Sequence, residues 1–170
     1  AFSSDGGLTR SSTSSLLRFN TANAHFSFLY RKEGIYPVVL NTSVDRMPLV
    51  WLPGINFCLV KNNKLLPLQF IQPSGESIPP DFVPVNAVRA GANKILIGGE
   101  KGIVEMYLDN RPADSIFSTT WIPLANCRAV AKTYSGKTLV LAGSKIYTWQ
   151  KGGKLSLFTD TRLENLKNLF

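Results

Sequence analysis

Few residues of this 170-residue chain have the chemistry of a catalyst. His25 is its one histidine, so a Ser–His or Cys–His nucleophile would rest wholly on that residue, and a multi-histidine metal centre is excluded. It stands at the head of an apolar run, Phe26–Tyr30, where a packed or edge side chain is favoured over a general base. The acids Glu33, Asp45, Glu76, Asp81, Glu100, Glu105, Asp109 and Asp114 fall singly at turns and strand ends, whereas hydrolysis by paired carboxylates needs two at a defined separation. Gly98-Gly99-Glu100-Lys101-Gly102 has the glycine density of a phosphate cradle. It lacks the Lys-Ser/Thr ending and the following helix that such loops require, and reads as a β-turn. Cys58 and Cys127 are the only cysteines, too few for a multi-cysteine zinc site or a disulfide framework. Two small buried thiols fit them best, with a single bridge between them left open. The expectation is a protein without catalytic residues, metal or cofactor.

Side chains suited to binding are more numerous. Trp51, Trp121 and Trp149 could stack on sugar rings or bases if exposed, although packing in the core is favoured for Trp51 and Trp121. Lys and Arg number 19 against 11 Asp and Glu, a net charge of +8 that favours an acidic partner such as nucleic acid, anionic lipid or an acidic protein surface. The cations are scattered, from Arg18 and Arg31-Lys32 through Lys61, Lys64, Arg89, Lys94 and Lys101 to Arg128, Lys132, Lys137, Lys145, Lys151 and Lys154. Most stand at apparent strand ends and turns, which reads as a solvated basic surface.

The elements that must position these residues are short. The apolar fraction of 44% and charged fraction of 18% are those of a folded protein with one sizeable core, and no run reaches the apolar length of a spanning helix. Residues 1–15, rich in Ser, Gly and Thr, read as a flexible arm. Residues 16–160 read as one β-rich domain, and 161–170 as a tail or short helix with Leu163, Leu166 and Phe170 at helical spacing. The chain begins at Ala1 with no charged-then-apolar signal pattern, and a processed secreted chain is slightly favoured. Asn41-Thr42-Ser43 is a glycosylation acceptor triplet in such a setting. Between residues 16 and 160, short apolar or alternating runs are separated by Gly, Pro, Asn and Asp, an all-β signature.

These runs repeat. Lys94 to Lys137 and Ile103 to Ile146 each stand 43 positions apart, within Asn93–Ile103 and Gly136–Ile146. Phe26–Asn41 lies over Lys94–Asp109 without a gap, both reading as strand, charged turn with Gly, strand. Trp51-Leu52-Pro53 and Trp121-Ile122-Pro123 end a strand alike, each followed by Asn and then Cys. About four antiparallel units follow, over residues 16–52, 53–82, 83–122 and 123–160, the second short and irregular around Pro73, Pro79, Pro80 and Pro84. Such a period means one small sheet copied and stacked, because a single sheet cannot bury its apolar face alone.

The repeat resembles that of β-propellers. Residues 126–159 follow a blade's order, with Ala129–Lys132 innermost, then Lys137–Gly143, Lys145–Trp149 and Leu155–Thr159 outermost. The resemblance covers most of residues 20–160, without the Gly-His and Trp-Asp dipeptides of the best-known class. It implies either a small irregular ring or part of a larger propeller. It also implies that the turns between second and third strands gather around a central opening. These would be Arg31-Lys32-Glu33, Glu100-Lys101 and Ser144-Lys145, a net basic rim for a protein partner, further blades, an acidic polymer or a glycan. The function expected is a non-enzymatic binding or assembly module, with a secreted lectin-like protein as the alternative.

Overall fold

The computed structural model describes residues 13–20, 25–33, 37–62, 64–73, 77–109, 111, 113–150 and 153–158, with the first two stretches and Asn41 as backbone only. Every regular element among them is a β-strand. β1 (Thr13–Asn20) and β2 (His25–Glu33) form an antiparallel pair. A first four-stranded sheet follows, of β3 (Val38–Val44), β4 (Met47–Leu52), β5 (Asn56–Lys61) and β6 (Lys64–Pro67) in that order. The middle sheet is made of β8 (Pro84–Gly91), β9 (Lys94–Gly99), β10 (Gly102–Tyr107) and β11 (Ile116–Pro123). Beside β11 lies β7 (Gln69–Ile71), running parallel to it. The last sheet is β12 (Cys127–Lys132), β13 (Thr138–Ala142), β14 (Lys145–Trp149) and β15 (Leu155–Leu157).

Turn chemistry makes each sheet a meander. Asp45 and Arg46 both adopt positive φ, 49° and 66°, and join β3 to β4 with Val44 opposite Met47. This two-residue connection suits the twist of the strands. Pro53-Gly54 links β4 to β5, with Gly54 at φ 79° and the Ile55 N–H donating to the Leu52 carbonyl at 3.0 Å, as a type II turn requires.

The sheets stack, and alternation along each strand decides what each face buries. Leu49, Trp51, Phe57 and Leu59 of the first sheet meet Ile95, Ile97, Val104, Met106, Phe117 and Trp121 of the middle one. The opposite face of the middle sheet sends Leu96 and Ile103 against Cys127, Val130 and Val140 of the last. β9 is thus covered on both sides, which explains its unbroken apolar run Ile95-Leu96-Ile97. The reverse face of the first sheet is buried as well, through Val50, Leu52 and Cys58. The last sheet has an open face, where Ala129, Leu139, Leu141 and Ile146 are partly exposed.

Successive first strands lie side by side, β3 against β8 and β8 against β12. Asn86 of β8 locks the second of these contacts. Its amide donates to the Val130 carbonyl at 2.7 Å, and the Val130 N–H donates to its oxygen at 2.9 Å. One side chain thereby extends a sheet-like pair of bonds across two sheets.

Several expectations are met and several are corrected. The all-β reading holds, as does the strand order of residues 126–159. The 43-residue repeat relates the middle sheet to the last. The match of Phe26–Asn41 to Lys94–Asp109 does not make a hairpin, because β2 pairs with β1 while β3 pairs with β4. The Asp45-Arg46 turn, which has no glycine, closes the hairpin instead. The unit at 53–82 is not a sheet of its own. β5 and β6 complete the first sheet, and the chain then crosses to the outer edge of the middle one, the Leu68 N–H donating to Phe57 and the Gln69 N–H to Ser115, both at 2.8 Å. Trp51 and Trp121 are not equivalent either, one lying on the second strand of its sheet and the other on the fourth. Proline ends a ladder wherever it falls, so Trp-aliphatic-Pro marks a strand end and not a strand's place. β1 begins at Thr13, inside the expected arm, and the tail at 161–170 lies outside the described residues.

Candidate functional site

The glycines of Gly98-Gly99-Glu100-Lys101-Gly102 serve packing. A Cβ on Gly98 would stand 3.2 Å from the Cys127 sulfur, and one on Gly99 would stand 2.4 Å from the Val83 carbonyl oxygen and 2.5 Å from the Phe82 ring. At Gly102 it would meet the Ile122 carbonyl at 2.4 Å and the Trp121 ring at 2.5 Å. Bare backbone at these three glycines lets Cys127, Val83, Phe82, Ile122 and Trp121 press directly onto β9 and β10. The Glu100-Lys101 turn between them is a turn as expected, and Lys101 is bonded to Asp81. That bond holds the exposed Asp81 carboxyl below its ordinary range.

The other expected rim residues fall in two kinds of place. Ser144 and Lys145 are exposed where β13 turns into β14. Arg31, Lys32 and Glu33 lie in β2 and not in a turn. The first sheet's own turn between second and third strands is Pro53-Gly54-Ile55. His25 opens β2. Cys58 and Cys127 are both free and buried, in clusters on the reverse of the first sheet and between the middle and last sheets, so the bridge left open is not formed. Burial pushes the Cys58 thiol up to about 11 and raises that of Cys127, which suppresses the thiolate that nucleophilic or metal chemistry needs. Among the described residues, no three His, Cys, Asp or Glu side chains gather to hold a metal, and no helix is long and apolar enough to cross a membrane.

Trp51 and Trp121 are buried between the first two sheets, Trp121 meeting Phe82 edge-on with ring centroids 5.2 Å apart. Trp149 is different. It is only half-buried and lines a cleft of about 350 Å³ between the middle and last sheets, with Ala90, Gly91, Asn93, Lys94, Lys137 and Thr148 among the other walls. The antiparallel order explains the grouping. The β8–β9 turn lies at one end of the middle sheet. The end of β12, the start of β13, the end of β14 and the start of β15 share one end of the last sheet.

Beneath the cleft lies a polar cluster. Glu105, 3% exposed in mid-strand, accepts hydrogen bonds from Lys94 and from the Tyr107 hydroxyl, the latter at 2.8 Å. The Lys94 ammonium also sits 4.9 Å from the centre of the Tyr107 ring. Burial, and the hydrogen bond to Glu105, raise the Tyr107 hydroxyl above its ordinary value. Lys94 is therefore committed to Glu105. Lys137 on the facing wall is exposed, and among the described residues it forms no ion pair.

The charge around this cleft is one-sided. No Asp or Glu occurs between Asp114 and Asp160, a stretch that carries Arg128, Lys132, Lys137, Lys145, Lys151 and Lys154. Those six cations share the stretch with no acid, against a net +8 for the chain. Arg128, Lys132, Lys137, Lys145 and Lys154 are all exposed, and among the described residues none is ion-paired. Among the described residues, the salt bridges lie elsewhere in the chain, at Lys61–Asp114, Lys94–Glu105, Lys101–Asp81 and Arg111–Asp45. Sequence reasoning took the cations as scattered, yet the gap between consecutive acids was the signal that would have found them.

The fold and cleft define a class, an all-β protein of stacked antiparallel sheets with a cationic last sheet. Comparison with protein-family models, curated proteins and solved structures returns no match.

Proposed function

We propose that this chain is a non-enzymatic, blade-type β-module that binds an anionic macromolecule through its last sheet. The observation that carries the reading is the stretch from Ser115 to Thr159, which holds six cations and no carboxylate. An unpaired set of exposed cations has no structural work to do, and concentrates the field that draws and holds a polyanion. The basic surface thereby moves from a rim of turns shared among sheets to one sheet. On heparin resin, changing Lys132, Lys137 and Lys154 to Gln lowers the eluting salt concentration well below that of a control with Lys61, Lys64 and Lys101 changed to Gln. Both variants carry the same net charge, so equal elution would show that overall charge alone is responsible and would remove the reading.

A second reading concerns assembly. The open face of the last sheet, with Leu139, Leu141 and Ile146 partly exposed, occupies the position at which the middle sheet receives the last. Adding sheets there continues the stack toward a propeller. Light scattering on the isolated chain then shows a mass above the 18.7 kDa of one copy, and a strict monomer at all concentrations sinks this reading.

A further inference from the structure

We infer that the anion bound at the last sheet is a single-stranded nucleic acid, one of whose bases stacks on Trp149 in the cleft between the middle and last sheets. The inference rests on the polyanion reading above and adds the ligand's chemistry. Charge supplies affinity for any polyanion, but an aromatic face within the charged field selects one with flat, unpaired rings. Trp149 provides that face at a cleft of about 350 Å³, within the roughly 300–1,000 Å³ range of small-ligand sites.

A second ring stands on the turn that forms one wall. Tyr134 is fully exposed at the tip of Thr133–Lys137. That turn is tied by the Gly136 N–H donating to the Thr133 carbonyl at 2.9 Å, the Thr133 N–H to the Lys137 carbonyl at 2.8 Å, and the Lys137 N–H to the Thr133 hydroxyl at 3.0 Å. A large apolar ring presented to water on a rigid turn is ready to stack with little loss of backbone freedom. Lys132, Lys137 and Lys154 share this end of the sheet and supply phosphate contacts. Two acids stand on the middle-sheet side, Glu105 bonded to Lys94 and Asp109 accepting from the Asn93 amide at 2.7 Å, which directs the phosphates across the last sheet.

The same walls fit an anionic glycan poorly. Sugar hydroxyls are recognised by acceptors as well as donors, and the last sheet has no carboxylate to offer. Lys94 and Glu105 satisfy one another beneath the cleft.

The test uses the full chain and a labelled oligothymidylate of about ten nucleotides, within the site sizes that such grooves cover. Trp51 and Trp121 are buried, so quenching of the indole emission reports Trp149. Binding with quenching is expected, with a log–log salt slope of about −2 for three phosphates held by lysines. Trp149→Leu, which keeps an apolar side chain beside Tyr147 and Leu155, weakens it about tenfold, the weight of one stacked base. Tyr134→Ala lies clear of the core and weakens binding without any change in stability. Binding without quenching, or equal binding by both variants, overturns the stacking site while the polyanion reading stands. Quenching by heparin and not by oligothymidylate makes the cleft a glycan site and overturns the nucleic acid. Failure of every anion to bind in a salt-sensitive way removes both readings.

Discussion

Gly99→Ala destabilises the fold by roughly 3 kcal/mol or more, the upper end of the cost of forcing extra volume into a packed interior. The added methyl would stand 2.4 Å from the Val83 carbonyl oxygen and 2.5 Å from the Phe82 ring, and neither can yield cheaply. Phe82 is 3% exposed and wedged between Phe57 and Trp121, while Val83 leads directly into β8. Relief requires β8 to move away from β9, which would strain the Asn86 bonds to Val130. Gly91→Ala is the matched control, since nothing lies within 4 Å of the new methyl. Urea titration of both variants at constant m-value measures the difference. Equal midpoints would show that the glycines are not packing residues and would reopen their role as a phosphate cradle.

Lys94→Met is expected to cost about 3 kcal/mol, because removing one member of a buried pair strands the other. Among the described residues, Glu105 then keeps the Tyr107 hydroxyl alone, in a site where its side chain is 4% exposed. The double variant Lys94→Met with Glu105→Leu recovers most of the loss, since apolar replacements of similar volume no longer carry a desolvated charge. The cycle therefore shows strong coupling. Additive effects would mean that Glu105 is adequately solvated without Lys94. The same pair bears on the cleft above it, because Lys94 held by Glu105 leaves Lys137 to supply the cleft's positive charge.

The strands were legible because their signals are local. Lys145–Trp149 stands as read, and β12, β13 and β15 fall within one or two residues of the expected Ala129–Lys132, Lys137–Gly143 and Leu155–Thr159. The pairing was less legible. Phe26–Asn41 lies over Lys94–Asp109 without a gap, yet β2 and β3 belong to different sheets. Pairing depends on which edge is free when the strand arrives, and no short window contains that information. The turn that decided the matter, Asp45-Arg46, uses positive φ at two residues other than glycine, and so left no mark that a reading for glycines would find.

The candidate site divides in the same way. Trp149 was picked out as a stacking residue, and Lys132, Lys137 and Lys154 were noted as turn cations. Core packing was favoured for Trp51 and Trp121, but nothing in their separate positions set Lys132, Lys137 and Lys154 apart from Lys101. By itself, the sequence determined an all-β chain, a 43-residue repeat and a carboxylate-free stretch, since composition and period belong to the order of residues. Tertiary structure alone decided that Trp51 and Trp121 are largely buried between sheets while Trp149 is half-exposed at a cleft. It also decided that Lys101 and Lys94 are paired with acids while, among the described residues, Lys137 is not. Exposure and ion pairing arise when distant segments meet, as β8–β9 meets β12–β13 here, and are set by how one sheet stacks on the next.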